Sequence, residues 1–347
     1  MNQTQPNQVT PEHIYLSRRE ILKRFGILIA GGLALSACRG QAPTPPPAPS
    51  PSPTSRPTQP AGADGQLVDE FGDPATPLEK VRRWGNYYEF TRSNEGIQQI
   101  AKDLRTSAWK IEVGGLVRNP QTFDLDDLRK FGEEERIYRM RCMQAWSMVI
   151  PWMGFPLHKL LSVVEPTAEA KYVRFDALYD LQQMPGQNEE GPAYTQWLES
   201  GGEKAMGRPE VDIPYVWPYA EALRLDEAMH DLTILATGMY GKPLYPENGA
   251  PVRLVVPWKY AFKSIKAVVK IELVSEQPVT FWNQAMPAEM GWYANVNPDV
   301  PSPRWKQGRE MRFLGKDPEP ILPTLMFNGY ASEVAHLYAG MDLERNF

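Results

Sequence analysis

The run Arg139-Met140-Arg141-Cys142-Met143-Gln144-Ala145-Trp146 decides how this chain is read. Cys142 is one of only two cysteines in 347 residues, and the other, Cys38, closes an N-terminal leader. Cys142 is therefore the thiol expected to stay in the folded part. In an oxidising compartment a thiol with no disulfide partner is a liability unless something holds it or uses it. The neighbouring Arg139 and Arg141 add to this, because nearby cations lower a thiol's pKa and favour the metal-binding thiolate.

The leader identifies the compartment. Ser17-Arg18-Arg19-Glu20-Ile21-Leu22-Lys23-Arg24 precedes an apolar run from Phe25 to Ala37 that contains Gly26, Gly31 and Gly32. A membrane-spanning helix needs about 20 apolar residues, so this shorter run reads as a signal-peptide core. The paired arginines resemble the twin-arginine export signal rather than an ordinary secretory signal. That route carries cargo already folded, most often around a cofactor inserted in the cytoplasm, so it raises the expectation of a redox group. Leu35-Ser36-Ala37-Cys38 resembles a lipobox, whose cysteine is lipidated after cleavage. Ordinary cleavage nearby would discard Cys38, and either outcome leaves Cys142 without a disulfide. Residues 41–60 are nearly all Pro, Ser, Thr and Ala, which cannot bury enough apolar area to fold. Twenty such residues in a polyproline conformation span roughly 60 Å. The expected organisation is a signal over 1–40, a Pro-rich linker over 41–66 and one folded domain over 67–347.

Composition supports that domain. Hydrophobic residues make up 42% of the chain, with 10 Trp, 15 Tyr and 12 Phe, ample for a core. The leader is net basic, so the remainder is more acidic than the overall charge of −5, which argues against general nucleic-acid binding. Strands are expected at Trp109–Val113, at Arg136–Cys142 (read as alternating), at Lys171–Phe175, at Val252–Val256 and at Ile265–Val274. Short helices are expected at Asp124–Phe131, which opens on an acidic turn, and at Pro156–Val164. Residues 186–214 are Gly-rich and polar and read as a surface excursion. The fold class is α+β, with mixed sheets and few short helices.

Several chemistries are excluded. The four histidines, His13, His158, His230 and His336, have no ligand spacing, so zinc is disfavoured. No C-x-x-C-H haem motif, iron–sulfur cysteine set, G-x-G-x-x-G or Walker loop occurs. A nucleophilic Cys142 with His158 or His230 as base lacks a recognisable context. Two other segments look like ligand contacts. Pro246 to Arg253 is a turn feeding a strand, and Pro257 to Lys266 interleaves Lys259, Lys263 and Lys266 with aromatics, a pattern suited to phosphate.

Taken with Asn86-Tyr87-Tyr88-Glu89-Phe90, Asn248-Gly249-Ala250-Pro251-Val252-Arg253, Pro257-Trp258-Lys259-Tyr260, Tyr293-Ala294-Asn295-Val296-Asn297-Pro298 and Phe327-Asn328-Gly329-Tyr330, the Cys142 run resembles the catalytic subunits of periplasmic protein-methionine-sulfoxide reductases. These are sulfite-oxidase-like molybdoenzymes, and the likeness extends from about residue 80 to the C-terminus. It implies a sulfite-oxidase-type domain holding one molybdenum–molybdopterin per chain. It assigns Cys142 as the molybdenum ligand and catalytic residue, with Asn86, Tyr88, Glu89, Ala177, Asn248, Arg253, Ser264, Ile265 and Lys266 at the cofactor. Threonine is usual at position 177, so a main-chain contact or a lost hydroxyl bond is expected there, and glycine is often found at 264, in keeping with a backbone role. Trp146 is expected near the substrate mouth, and 187–215 is longer than usual for the family. The implied reaction reduces methionine sulfoxide in oxidised exported proteins. Electrons would come from the quinone pool through a haem-binding membrane subunit. The enzyme would sit in the periplasm, in contact with the membrane through that partner or through a lipid on Cys38. The nearest rival on the same fold is a sulfite dehydrogenase, but those enzymes follow the cysteine with a Gly-Asn-Arg-Arg run where this chain has Met143-Gln144-Ala145-Trp146. A catalytically inactive lipid-anchored binding protein is the reading of a different class.

Overall fold

The computed structural model describes residues 66–188 and 215–347. The signal and nearly all of the linker lie outside the described residues, as does most of the 186–214 excursion. The described part builds two mixed sheets. The first comprises β1 (Lys110–Gly115), β2 (Gln121–Asp124), β5 (Tyr172–Ala177), β6 (Ala220–Arg224) and β10 (Val268–Val274), in the order β2-β1-β10-β5-β6. Within it β1 runs parallel to β10 and the other pairs are antiparallel.

The second sheet comprises β3 (Glu134–Arg141), β4 (Trp146–Pro156), β7 (Ile234–Met239), β8 (Lys242–Pro243), β9 (Arg253–Val255), β11 (Arg309–Arg312) and β12 (Ile321–Pro323). Its order is β12-β11-β4-β7-β8, with β3 against β4 and β9 against β7. The helices are short: α1 (Leu78–Arg83), α2 (Ile97–Ala101), α3 (Leu125–Arg129), α4 (Leu157–Val164), α5 (Leu225–Ala228), α6 (Phe281–Ala285) and α7 (Ala331–Val334). The α+β class with mixed sheets and few short helices is thus observed.

Local chemistry explains the elements that the sequence announced. In β1, Ile111 and Val113 point inward while Lys110 and Glu112 face solvent, the period-2 alternation of a half-buried strand. Asp124 caps α3 by accepting from the Asp127 N–H at 2.8 Å, and the Asp127 carboxylate returns the bond to the Asp124 N–H at 3.3 Å. Leu157, Leu160, Leu161 and Val164 make the buried stripe of α4, at helical spacing.

The alternation expected at 136–142 is not an amphipathic pattern. From Arg136 to Arg141 every residue of β3 is buried, arginines included. Burial on both faces is possible because each guanidinium meets carboxylates. Arg136 pairs with Glu134 and with Asp231, Arg139 with Asp73 and with Asp69 at 3.2 Å, and Arg141 with Glu310 at 2.9 Å. The strand beside it, β4, is eleven residues long and almost wholly buried, and its uniform apolarity hid it from a periodicity reading. β3 and β4 pair antiparallel from Glu134↔Gly154 to Arg141↔Ser147, so Cys142 to Ala145 form the tip of a hairpin.

Candidate cofactor site

The hairpin tip fixes Cys142 from both sides. Its N–H donates to the Trp146 carbonyl at 2.8 Å, and the Ala145 N–H donates to the Cys142 carbonyl at 3.1 Å. Ala145 closes the turn at φ 62°. The sulfur receives the Asn86 side-chain amide at 3.3 Å and the Gln144 N–H at 3.4 Å. Burial pushes the thiol up to about 11, opposed by the Gln144 N–H, Arg141, Lys266 and Asn86. This corrects the expectation drawn from the flanking arginines. Arg139 faces Asp69 and Asp73, and Arg141 is directed to Glu310 and the Cys142 carbonyl, so their influence on the sulfur is smaller than the loss of water.

A second wall comes from two turns near β9. A 3₁₀ turn at Pro246–Asn248 passes through Gly249, at φ 103°, toward Arg253. A Cβ at Gly249 would stand 2.8 Å from Lys266 Cγ, so the glycine leaves room for the lysine to cross behind it. Lys266 Nζ then donates to the Asn86 carbonyl at 2.7 Å. Arg253 donates to the Asn248 carbonyl at 2.8 Å and the Ser264 carbonyl at 3.0 Å, above the Trp152 ring at 4.8 Å. Ser264 Oγ accepts from the Val256 N–H at 3.1 Å.

A third wall is Asn86 to Glu89. It is held by the Gly186 N–H, which donates to the Glu89 carbonyl at 2.8 Å. Burial pushes the Glu89 carboxyl up to about 7, against the pull of Lys266. Burial, then Arg253, draws Lys266 down to about 7, and burial draws Arg253 down to about 10.

The three walls enclose one cleft, with about 1110 Å³ of empty space counted out to the solvent at its mouth. Asn86, Tyr88, Glu89, Cys142, Asn248, Arg253, Ser264, Ile265 and Lys266 all line it, as does Trp146. Ala177 does not. It ends β5, buried, with its N–H donated to the Tyr219 carbonyl at 2.9 Å, while Tyr219 itself lines the cleft. The three-lysine phosphate pattern is also corrected. Lys259 pairs with Glu227 at 2.7 Å and Lys263 with Glu221 at 2.8 Å, all fully buried, which leaves Lys266 as the lysine of the cleft. Trp84, Trp282, Trp305, Met290 and Arg304 line the cleft too and were not anticipated. They come from three stretches far apart in the chain, around Trp84, from Trp282 to Met290 and at Arg304-Trp305, which no local pattern links. Among the described residues no histidine lines the cleft. Among the described residues no cluster of three or more His, Cys, Asp or Glu could hold a metal by itself.

The residues present fit a phosphorylated pterin carrying a metal. Among the described residues, no carboxylate lies within ion-pair distance of Arg253 or Lys266, although the buried Arg141, Arg139, Lys259 and Lys263 each have one. Two buried cations whose side chains donate only to carbonyls, with Glu89 acting on Lys266 at longer range, suit a phosphate. Asn248 Oδ1 is buried with no hydrogen-bond partner and awaits an N–H donor such as a pterin ring offers. Cys142 supplies the soft donor that molybdenum accepts.

A family model described as "Oxidoreductase molybdopterin binding domain" matches residues 97–282, more than half of the chain, including Cys142, Asn248, Arg253 and Lys266. The crystal structure of the sulfane dehydrogenase SoxCD from Paracoccus pantotrophus is similar over 54% of this chain and 42% of that one, at 19% identity and a TM-score of 0.38. This chain therefore spans less than half the length of that protein.

Proposed function

The chain belongs to the oxidoreductase molybdopterin-binding domain family, whose cofactor is molybdenum–molybdopterin, and from that premise we propose that it reduces methionine sulfoxide in exported proteins. The balance is R₂S=O + 2 e⁻ + 2 H⁺ → R₂S + H₂O. When bound, the cofactor supplies two-electron oxygen-atom acceptance, chemistry no side chain can perform. Cys142 would hold the metal through sulfur, while Arg253 and Lys266 would hold the phosphate and Asn248 the pterin. Burial raises the Glu89 carboxyl above its ordinary value, which favours its protonated form in the cleft.

The observation that carries this reading is the apolar character of the cleft. Trp84, Trp146, Met143, Phe262, Met290 and Trp305 line it. Arg304, a lining cation outside the Arg253–Lys266 pocket, has its charge paired with Glu289 at 2.8 Å, and its Nη1 alone lacks a hydrogen-bond partner. A neutral sulfoxide on a thioether suits such a surface, whereas a sulfite dianion wants uncommitted guanidiniums. Reduction would restore an apolar side chain to the oxidised protein.

Electrons would reach the site from the quinone pool through a haem-binding membrane subunit. Export by the twin-arginine route, and a lipid on Cys38 at the end of the Pro-rich stalk, would hold the enzyme near that partner. Among the described residues no helix is long and apolar enough to cross a membrane.

The test uses holoenzyme with a reduced viologen dye and a peptide containing methionine sulfoxide. Dye oxidation with one thioether formed per two electrons is expected, together with inertness toward sulfite and ferricyanide. Cys142→Ser should lose turnover by at least a hundredfold, in keeping with loss of a direct metal ligand. Sulfite oxidation without sulfoxide reduction would assign the rival activity, and full turnover by the serine variant would refute the ligand assignment.

A further inference from the structure

The sulfur of Cys142 is not bare on its protein side. Two N–H groups point at it, the Asn86 side-chain amide at 3.3 Å and the Gln144 backbone N–H at 3.4 Å. The direction of the Asn86 amide is enforced by its neighbours. Asn94 Nδ2 donates to Asn86 Oδ1, which leaves the Asn86 NH₂ turned toward the sulfur. Asn94 also reaches the Gly85 carbonyl at 3.0 Å and Gln144 Oε1 at 3.1 Å. Gln144 Oε1 further receives Asn86 Nδ2 at 3.3 Å and Trp146 Nε1 at 3.2 Å. The Asn86 backbone is anchored separately by Lys266 Nζ at 2.7 Å. Asn94 does not line the cleft, so it acts on the site only through these amides.

We propose that the Asn86–Asn94–Gln144 amide network is a positioning device that sets the reduction potential of the metal through hydrogen bonds to its cysteine sulfur. The proposal rests on the reading of Cys142 as the molybdenum ligand. N–H donors withdraw electron density from a coordinating thiolate and stabilise the reduced state, which carries more negative charge, so they raise the potential. Because the donor is an amide locked by a second amide, its charge does not change with pH. It also cannot rotate to present oxygen to the sulfur without losing the Asn94 bond. Asn86 thereby acts on the metal through sulfur.

The experiment is a redox titration of loaded enzyme followed by electron paramagnetic resonance, with metal content and the molybdenum absorption edge measured on each sample. Asn86→Leu should keep metal and cysteine sulfur while making one-electron reduction about tenfold less favourable, a downward shift of about 59 mV. Asn94→Ala, which leaves every cleft-lining side chain in place, should shift the potential in the same direction by less. Asn86→Asp puts an acceptor against the sulfur and should shift it furthest. Unchanged potentials in variants that retain metal and cysteine sulfur would overturn the network's role and leave the ligand assignment standing. A wild-type absorption edge without a protein sulfur would overturn both. Should Asn86→Leu lose metal, the Asn94→Ala shift decides alone, since its presence supports the network and its absence overturns it.

Discussion

Two lysines seven residues apart in this chain have opposite physical roles, and the difference lies in what faces each ammonium. Lys259 is fully buried with Glu227 at 2.7 Å, the Tyr293 carbonyl at 2.8 Å and Asn295 Oδ1 at 2.9 Å around it. Lys259→Ala would strand the Glu227 carboxylate, and urea unfolding should register a loss of about 3–5 kcal/mol. Lys266 has no carboxylate within ion-pair distance, only the Asn86 carbonyl. Lys266→Ala removes a buried cation that has no ion-pair partner, with only the longer-range pull of Glu89 to lose, so cofactor-free protein should lose far less stability than with Lys259→Ala. The same variant should retain less molybdenum after purification, as should Arg253→Ala. Full metal content in both would sink the phosphate role. Residue identity alone did not separate these lysines, because one strand-to-loop segment carries them all.

At the scale of elements, the functional cysteine depends on the β3–β4 hairpin, and the hairpin depends on the close approach of β4 to β7. Gly154 sits where their register shifts, and a Cβ there would meet the Leu235 carbonyl oxygen at 2.2 Å. Backbone cannot yield as a flexible side chain can, so Gly154→Ala should destabilise by about 3 kcal/mol, toward the upper end for overpacking. Gly114 in β1 is the control. A Cβ there meets nothing within 4 Å, and Gly114→Ala should leave the denaturation midpoint in place. Equal effects at the two glycines would remove the strand-approach argument. The helices α3 and α4 and the strands β1, β5, β9 and β10 were legible, since each has a cap, a stripe or a β-branched run written into consecutive residues. β4 and the burial of β3 were not legible. A strand covered on both faces has no alternation to read, and its arginines look solvated until their carboxylates, far along the chain, are found.

For the molecule as a whole, buried charge couples the fold to pH. Glu310 joins Arg141 at 2.9 Å, Arg312, and Ser147 Oγ at 2.7 Å, linking β3, β4 and β11. Burial would raise its carboxyl, but Arg312 and Arg141, with the hydrogen bonds of Arg312 and Ser147, outweigh this and hold it below its ordinary 4.5. A carboxyl depressed in the folded state contributes stability that is complete above 4.5 and is lost as pH falls through the lower folded value. Wild-type stability should therefore drop on acidification below about pH 4.5. Glu310→Gln, less stable at neutrality because it leaves Arg141 without a carboxylate and Arg312 with Asp73 alone, should show a shallower acid limb. An unchanged slope would exclude Glu310 as a source of acid sensitivity. Export belongs to the same scale. Arg18→Lys combined with Arg19→Lys should retain the protein in the cytoplasm, as read by fractionation, and normal export would point to the ordinary secretory route.

The cofactor class was legible in the sequence through the family resemblance that the Cys142 run, the Asn248-to-Arg253 turn and the Pro257-to-Tyr260 segment carry, since such runs survive without coordinates. The α+β class was legible for the same reason. Only the tertiary structure decided which cations lack an ion-pair carboxylate, that Tyr219 and not Ala177 lines the cleft, and that tryptophans from four separate segments share one cleft with the cysteine. Such facts depend on which distant groups share a low-dielectric space. A charge is neutralised or left free by a partner that chain order does not identify.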